Sequence, residues 1–360
     1  MKLTKFFALA LAALAVVACG EKSNDNGVTP AGDAVLTANN NSVEVNTPIE
    51  FTVTAADGTD LTAESIIYDK SHDYVVVSNP YTPTMDGEYE FYAVAGNIIT
   101  PSIKVNVVPT VPALPEDAEP ANTSFNHRIL LVDHTGNTCG YCPQMMAALK
   151  EVSETGDYHS KYYEAMAHTY SSGDPAYSGA ANVVSGHHGV NSYPTLTYNF
   201  YHSTTSSYNA AHIMGQIDAL WKAEGADAGI AAAATLASSS VIVNTEVKAA
   251  VAGEYRITAW LLEDGIYAKQ TNATAEWMNT HDNAIRQRVT SDDISGLDLG
   301  TIAAGETAST ALTLKIVGNK WVRENLKVMI IVSAKNGNGK FEVANVAICP
   351  MNDVVIYDYK

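Results

Sequence analysis

Apolar residues in the first part of the chain alternate with polar ones, which is the period of a half-buried β-strand. The alternation is clearest at Ile49, Phe51 and Val53, and further β-prone runs follow, with a turn signal at Gly96. Short strands joined by tight turns predict an antiparallel β-domain over residues 34–108.

A different pattern marks residues 125–225, where apolar runs alternate with helical segments. Ile129–Val132 is a continuous apolar run, typical of a strand buried on both faces, and Gln144–Val152 has helix-forming composition. Tyr162–His168 is predicted as a second strand, and Gly189–Phe200 as a turn that enters a third. This alternation predicts an α/β domain. Its last helix places apolar residues on one face, at Ala210, Ile213, Met214, Ile217, Leu220 and Trp221.

β-prone runs return in residues 226–360, where Asn336–Gly339 predicts a hairpin loop between the last two. We therefore expect a C-terminal β-sandwich, while the short strands of residues 34–108 suggest an immunoglobulin-like β-domain. The Pro-rich residues 109–124 predict a semi-rigid linker. The expected fold class is multidomain, with an α/β domain flanked by two β-domains.

Composition and charge narrow the class of partner. The 360 residues are 46% hydrophobic and 17% charged, as expected for folded globular material of two or three domains. The formal net charge is -18. Because nucleic acid and anionic lipid surfaces repel such a protein, we expect neither as a partner.

The first 18 residues have the features of a signal peptide. Lys2 and Lys5 precede the 13 apolar residues Phe6–Ala18, a run too short to span a bilayer. The run ends in V-V-A-C, which resembles the lipobox of bacterial lipoproteins. That resemblance implies cleavage before Cys19 and lipidation of Cys19, and an ordinary secretory signal is the alternative.

The residues after Cys19 bear on where an anchored protein would go. Gly20, rather than an aspartate, follows the cysteine, and this resembles lipoproteins that are sent on to the outer membrane. Residues 19–33 are polar, rich in Gly, Pro and Asn, and aperiodic, so they predict a flexible tether. These residues do not indicate which leaflet of the membrane the anchored protein would face.

The strongest chemical signal is the pair Cys139 and Cys142 between a buried strand and a helix. The free N–H groups and the dipole at a helix start stabilise a thiolate, so a C-x-x-C at this junction indicates redox chemistry. The alternative is a structural disulfide, although closing so small a loop contributes only about 2 kcal/mol.

Three motifs in order resemble the thioredoxin fold. Asp133 lies six residues before Cys139, the C-x-x-C follows, and G-V-x-x-x-P-T-L begins at Gly189. The sequence T-C-G-Y-C also resembles the active site of periplasmic disulfide isomerases. The resemblance implies a thioredoxin-like α/β core for the central domain, with about twenty residues from Thr169 to His188 inserted into it.

The same resemblance implies a role for each motif residue. Cys139 would attack, Cys142 would resolve the mixed disulfide, and Asp133 would help to deprotonate the resolving thiol. Pro194 would be cis and face the dithiol, leaving the backbone at Tyr193 free to pair with a substrate. We expect Cys139 to be the more exposed and more acidic thiol. No soluble cofactor is required, because the cysteines carry the electrons.

Histidines raise the alternative of a metal site. His168, His187 and His188 could join the two cysteines as ligands for copper or zinc. Isolated histidines in a segment rich in Gly and Ser usually face solvent, and no ligand spacing is present. We therefore expect no metal.

Two C-terminal motifs resemble a known family. W-L-L-E-D at Trp260–Asp264 and H-D-N-A-I-R at His281–Arg286, combined with the lipobox and the C-x-x-C segment, are similar to the 28-kilodalton outer-membrane protein family of Gram-negative bacteria. Its members are regarded as surface antigens or adhesins, so the resemblance implies location more than chemistry. We interpret the remaining Cys349 as a small buried residue.

These features together predict a lipid-anchored outer-membrane protein that exchanges disulfides with extracytoplasmic protein thiols. The competing hypothesis is a surface antigen, adhesin or binding protein for a surface ligand, whose dithiol is not catalytic.

Overall fold

The structure is a computed structural model that describes residues 33–318 and 320–360. The predicted signal peptide and Cys19 lie outside these residues. Strands make up 43% and helices 14% of the described chain, so the protein is mostly β-sheet. None of the helices in these two ranges is long and apolar enough to cross a membrane.

Residues 34–108 form two sheets around a core of their own. The pair β1–β3 faces a six-stranded sheet of order β2-β8-β6-β4-β5 with β7 on β6, and Leu36, Phe51, Phe91 and Val105 are buried between them. Alternation along β6 explains this, because every second residue from Tyr89 is buried. The strands are β1 Ala34–Ala38, β2 Ser42–Glu44, β3 Phe51–Ala55, β4 Ser65–Asp69, β5 Val75–Val77, β6 Gly87–Ala95, β7 Ile98–Ile99 and β8 Ile103–Val108.

The central segment contains the strands and helices that its apolar pattern predicts. Strand β10 runs parallel to β9, β11 runs antiparallel on the other side of β9, and β12 pairs with β11. The elements are β9 Ile129–Thr135, α1 Cys142–Glu154, β10 Tyr162–His168, α2 Gly179–His187, β11 Thr195–Tyr198, β12 His202–Thr205 and α3 Ala210–Leu220. Ile129 and Leu131 pack on α1 and α3, whereas Leu130 and Val132 face α2.

The C-terminal part is built from strands. Their bounds are β13 Ala228–Leu236, β14 Ser240–Ala249, β15 Gly253–Glu263, β16 Ile266–Tyr267, β17 Thr280–His281, β18 Ala284–Arg288, β19 Leu297–Ile302, β20 Thr307–Lys315, β21 Leu326–Lys335, β22 Phe341–Pro350 and β23 Val354–Val355. A four-stranded sheet of order β20-β14-β13-β23 packs against β15 and β21, burying Val243, Leu261, Leu312 and Ile330.

The predicted fold class, a thioredoxin-like α/β domain flanked by separate β-domains, is wrong. Central and C-terminal strands form one nine-stranded sheet of order β12-β11-β9-β10-β18-β15-β21-β22, with β19 on β15. The junction is the parallel pair β10–β18, where Met166 lies opposite Ala284 and its N–H donates to the carbonyl of Asn283 at 2.8 Å. Trp260 and Leu262 of β15 also share a core with Leu130.

The physical reason lies at the outer edge of β10. A strand at the edge of a sheet has unpaired backbone groups, and here β18 pairs with them. Apolar periodicity identifies a strand but carries no information about its neighbour, so the sequence pattern could not reveal this merger.

The Pro-rich segment 109–124 lies against β14. The carbonyl of Pro112 accepts a hydrogen bond from Asn244 Nδ2 at 2.9 Å. The buried ammonium of Lys248 pairs with Asp117 at 2.9 Å and donates to the carbonyl of Glu119 at 3.3 Å. The segment is therefore held on the surface of the C-terminal sheet at several points.

Candidate functional site

The two close cysteines form a disulfide at the start of α1. Their sulfur atoms are 2.06 Å apart and their Cα atoms 5.5 Å apart. Cys142 is the first residue of the helix, and Pro143 fits the first turn because an N–H there has no intrahelical partner. The predicted position at a helix start is thus confirmed.

Exposure does not separate the two cysteines. Cys139 is 1% and Cys142 0% exposed, so the prediction of a more exposed Cys139 is wrong for this oxidised form. The reason is that two other chain segments cover the turn of residues 136–140, here called the dithiol loop. Neither segment adjoins the loop in sequence.

The first covering segment is residues 169–178, which follow β10. Tyr170 packs so closely that a Cβ on Gly136 would lie 2.6 Å from the Tyr170 Cβ, and only glycine fits there. Asp174 Oδ2 accepts hydrogen bonds from the Asn137 N–H at 2.7 Å and from His168 Nδ1 at 2.8 Å. Burial would raise the pKa of Asp174, but these bonds lower it to about 2. A charged carboxylate therefore fixes the dithiol loop.

The second covering segment is residues 264–283 between β15 and β18, here called the cap segment. Gln270 Nε2 donates to the carbonyl oxygen of Cys139 at 2.9 Å, and Asn272 Nδ2 donates to that of Gly140 at 3.1 Å. The Thr271 N–H donates to the carbonyl oxygen of Asn137 at 2.7 Å. Three consecutive residues of the cap segment thus hold the loop that carries the disulfide.

Asp133 is a fully buried acid on β9. It shares a strand face with Ile129 and Leu131, which pack against α1, and it lies near the end of β9 that leads into the dithiol loop. Neither carboxyl oxygen has a hydrogen-bond partner in the described residues. Burial, together with the charge of Glu164, raises its pKa well above the usual range. Burial at this position therefore favours the neutral form of the Asp133 carboxyl.

The peptide bond Tyr193–Pro194 is cis, as predicted. Pro194 directly precedes β11, in which Thr195 lies opposite His134 of β9, so the proline lies next to the end of β9. The Tyr193 hydroxyl is 3.0 Å from Thr169 Oγ1. The roles assigned to Tyr193, Pro194, Cys139, Cys142 and Asp133 stay predictions.

The histidines occupy two places. The ring of His168 lies beside that of His281, 4.8 Å between centroids, under the dithiol loop. His187 and His188 contact each other at the end of α2. The ring of His188 also lies 5.7 Å from that of His134 of β9, and His187 Nε2 is 3.0 Å from the carbonyl oxygen of Phe200. Among the described residues no group of three or more candidate ligands is close enough to hold a metal ion.

The remaining candidates of the C-terminal motifs are buried. Arg286 Nε is 2.7 Å from Glu263 Oε2, and Cys349 is buried as a free thiol, as predicted. The residues that sequence reasoning missed are Asp174, Gln270 and Asn272. Local sequence carries no signal for the last two, because they contact the dithiol loop from more than 130 positions away.

Comparisons with known proteins address the family and the fold. The model of the family "outer membrane protein Omp28" matches residues 181–352, slightly less than half of the chain. No curated protein matches the chain. The solved structure of HBP35 of Porphyromonas gingivalis is similar with a TM-score of 0.52 and 15% identity, covering 64% of this chain and 77% of that chain.

A second structure, surface layer protein SbsC, domains 4–9, has a TM-score of 0.19 and 9% identity over 90% of this chain and 51% of that chain, which is too low to support an argument. The Omp28 match agrees with the similarity noted from the C-terminal motifs, and its description indicates an outer-membrane protein. The likeness to HBP35 bears on the fold alone, and it agrees with a β-rich architecture without a separate α/β core.

Proposed function

We propose that the protein is an outer-membrane lipoprotein, anchored through Cys19, that exchanges disulfides with protein thiols of the cell envelope through Cys139 and Cys142. The observation that carries this proposal is the buried carboxyl of Asp133, which has no partner and lies on the side of β9 that faces α1. A disulfide that served only as a staple would not require such an acid.

The cost of Asp133 supports a chemical role. Burying a polar group without a hydrogen bond costs roughly 1–3 kcal/mol in proteins, and a hydrophobic residue at this position would avoid that cost. A protonated acid on the strand face that packs against α1 could instead supply the proton that a departing Cys142 thiolate needs. Because burial raises the pKa of Asp133, the carboxyl keeps its proton to a higher pH than an exposed aspartate does.

The exchange proceeds in two balanced steps from the oxidised form. A substrate thiolate attacks the Cys139 sulfur and forms a mixed disulfide, while the bond between Cys139 and Cys142 breaks and Cys142 takes a proton from Asp133. A second substrate thiolate then attacks the substrate sulfur and releases Cys139 as a thiolate. The substrate loses two electrons and gains a disulfide, and the reduced protein holds a Cys142 thiol, a Cys139 thiolate and an ionised Asp133.

The proposed lipid anchor and the proposed outer-membrane location are supported by different parts of the sequence. The lipobox before Cys19 supports lipidation, and the Omp28 match over residues 181–352 supports membership of that family and an outer-membrane destination. A tether of residues 19–33 would let the folded part reach substrates away from the membrane.

Trapping of mixed disulfides tests the chemistry. Cys142→Ala removes the resolving thiol, so it should retain substrates covalently on Cys139, whereas Cys139→Ala should retain few. Cys349→Ala is the matched control, because it removes a buried thiol outside the site. Adducts are separated on non-reducing gels after alkylation of free thiols in cells. Equal trapping by the three variants would contradict the proposal.

The burial of both cysteines favours a second candidate, a surface binding protein with an unreactive disulfide. The two candidates differ in the reduction potential of the pair. A structural disulfide lies below about -300 mV, while an exchanging pair lies above it. Equilibration with glutathione or dithiothreitol buffers of known potential measures this difference.

A further inference from the structure

A cavity of about 430 Å³ lies beside the site, between α1, β10 and the end of the cap segment. Its apolar wall consists of Met146, Leu149 and Met166, with the ring of Trp277 at one side. Trp277 is 41% exposed, although an indole of that size is usually buried in a core. The volume is in the range of small-molecule sites.

Two carboxyl groups also line this cavity. Glu164 enters from β10 and Asp282 from the end of the cap segment. Oε1 of Glu164 is buried and has no hydrogen-bond partner within residues 33–318 and 320–360. Asp282 accepts one hydrogen bond through Oδ1, from the Gly265 N–H at 2.8 Å.

The cations closest to these acids are paired with other carboxylates. Lys150 forms an ion pair with Glu154, one turn further along α1, and Lys327 pairs with Asp264 at 2.5 Å. In the described part of the chain, neither Glu164 nor Asp282 has an ion pair with Lys or Arg. Lys150 also lines the cavity, but its ammonium is engaged by Glu154, so two carboxyl groups without a Lys or Arg partner remain beside the apolar wall.

We propose that this cavity binds an organic cation with an ammonium head and an apolar body. The head lies between Glu164 and Asp282, and the body lies on Met146 and Met166. The ring of Trp277 adds a cation–π contact; its face already attracts the Lys150 ammonium, 5.9 Å from the centroid. The net charge of -18 raises the local concentration of cations.

This site does not depend on the proposed disulfide exchange. Its residues are distinct from Cys139, Cys142 and Asp133, and its ligand contributes no electrons. Lysine side chains of a polypeptide and free alkylamines share the chemistry that the cavity recognises, so the experiment includes one probe of each kind.

The acids also give the site a pH dependence. Burial and, to a smaller extent, the charge of Asp282 raise the pKa of Glu164 to about 7, while Lys327 lowers it. The other groups that face it are Lys150 from α1, already paired with Glu154, and Asp133 from β9, whose own pKa is raised by burial. Cation binding should therefore strengthen between pH 6 and pH 8, as Glu164 ionises.

Calorimetric titration of the full-length protein in detergent tests the proposal with n-hexylammonium, Nα-acetyl-lysine amide and the neutral n-hexanol. We expect saturable binding of at least one cation and weaker binding of hexanol. The tighter of the two cations identifies the source of the ligand. Equal affinity for hexanol and hexylammonium would overturn the proposal.

Two single-residue variants test whether the cation binds in this cavity. Glu164→Gln should lower the affinity for the cation about tenfold and remove its pH dependence, because it deletes a charge-assisted contact. It should fold, since it removes a buried unpaired acid. Glu151→Gln is the matched control: it removes one exposed charge from α1 outside the cavity and should leave the affinity unchanged. Equal affinities of these two variants would overturn the assignment.

Discussion

At the scale of single residues, Asp133 is the position at which chemistry and stability oppose each other. Asp133 directly follows the continuous apolar run Ile129–Val132, and the structure buries its side chain completely. That both carboxyl oxygens lack partners could not be predicted, since this depends on which atoms the fold brings around them. The same holds for Oε1 of Glu164, a residue that lies opposite Leu131 in the register of β10 and β9.

Asp133→Asn should change how the stability of the protein depends on pH. The folded pKa of Asp133 is raised above its unfolded value. Its protonated carboxyl therefore contributes fully to stability below the unfolded pKa of about 4, and this contribution is lost as the pH rises through the folded pKa. The variant lacks this decline. Its free energy of unfolding, relative to the wild type, should therefore increase as the pH rises above about 5, by up to about 1.4 kcal/mol per pH unit until the folded pKa of Asp133 is reached.

Urea denaturation of the oxidised proteins at several pH values measures this difference. The amide itself has a cost when buried, so the slope with pH is the diagnostic quantity rather than the offset at one pH. A stability difference that is constant from pH 5 to pH 7 would show that Asp133 titrates normally in the folded state.

At the scale of elements, the local pattern was sufficient for strands and helices but not for their partners. Strand β9, helix α1 and helix α3 form where the apolar periods predict them, because each period reports one buried face. The cap segment shows the limit. Gln270 and Asn272 lie in a polar stretch with only short strands and a 3-10 turn. They donate hydrogen bonds to the dithiol loop only because the fold brings these two distant parts of the chain together.

The cap segment should control how fast the disulfide is reduced. The double variant Gln270→Ala and Asn272→Ala removes three hydrogen bonds to carbonyl oxygens of the dithiol loop, each worth about 1 kcal/mol. If attack on the buried sulfur requires the cap segment to move away, the rate of reduction by dithiothreitol should rise about tenfold or more.

Trapping of new thiols with a chromogenic disulfide reagent gives this rate. Gln287→Ala is the matched control, because its amide donates to the carbonyl oxygen of Lys315 at 3.4 Å, away from the dithiol loop. An unchanged rate in the double variant would mean that the cap segment does not limit access to Cys139.

At the scale of the whole molecule, the nine-stranded sheet connects the candidate site with the C-terminal region. The cap segment begins after β15 and ends before β18, and β18 pairs with β10. The dithiol loop is thus covered by a segment whose two ends are fixed in the same sheet. The segment boundaries that the sequence predicts stay predictions. Whether residues 125–225 fold without the C-terminal strands can be measured.

Residues 125–225 produced alone should not fold cooperatively, whereas residues 109–360 should. In the full chain Leu130 and Val132 of β9 are buried together with Trp260, Ile285 and Met329 of the C-terminal strands. Removing those strands exposes this face of the sheet, and each large apolar side chain that loses its cover costs about 1.5–3 kcal/mol. The sum is comparable with the entire stability of a small domain, 5–15 kcal/mol. The outer edge of β10 would also lose its partner β18. Thermal unfolding followed by circular dichroism distinguishes the outcomes: a sharp transition of the short fragment would show that the central segment is an autonomous unit after all.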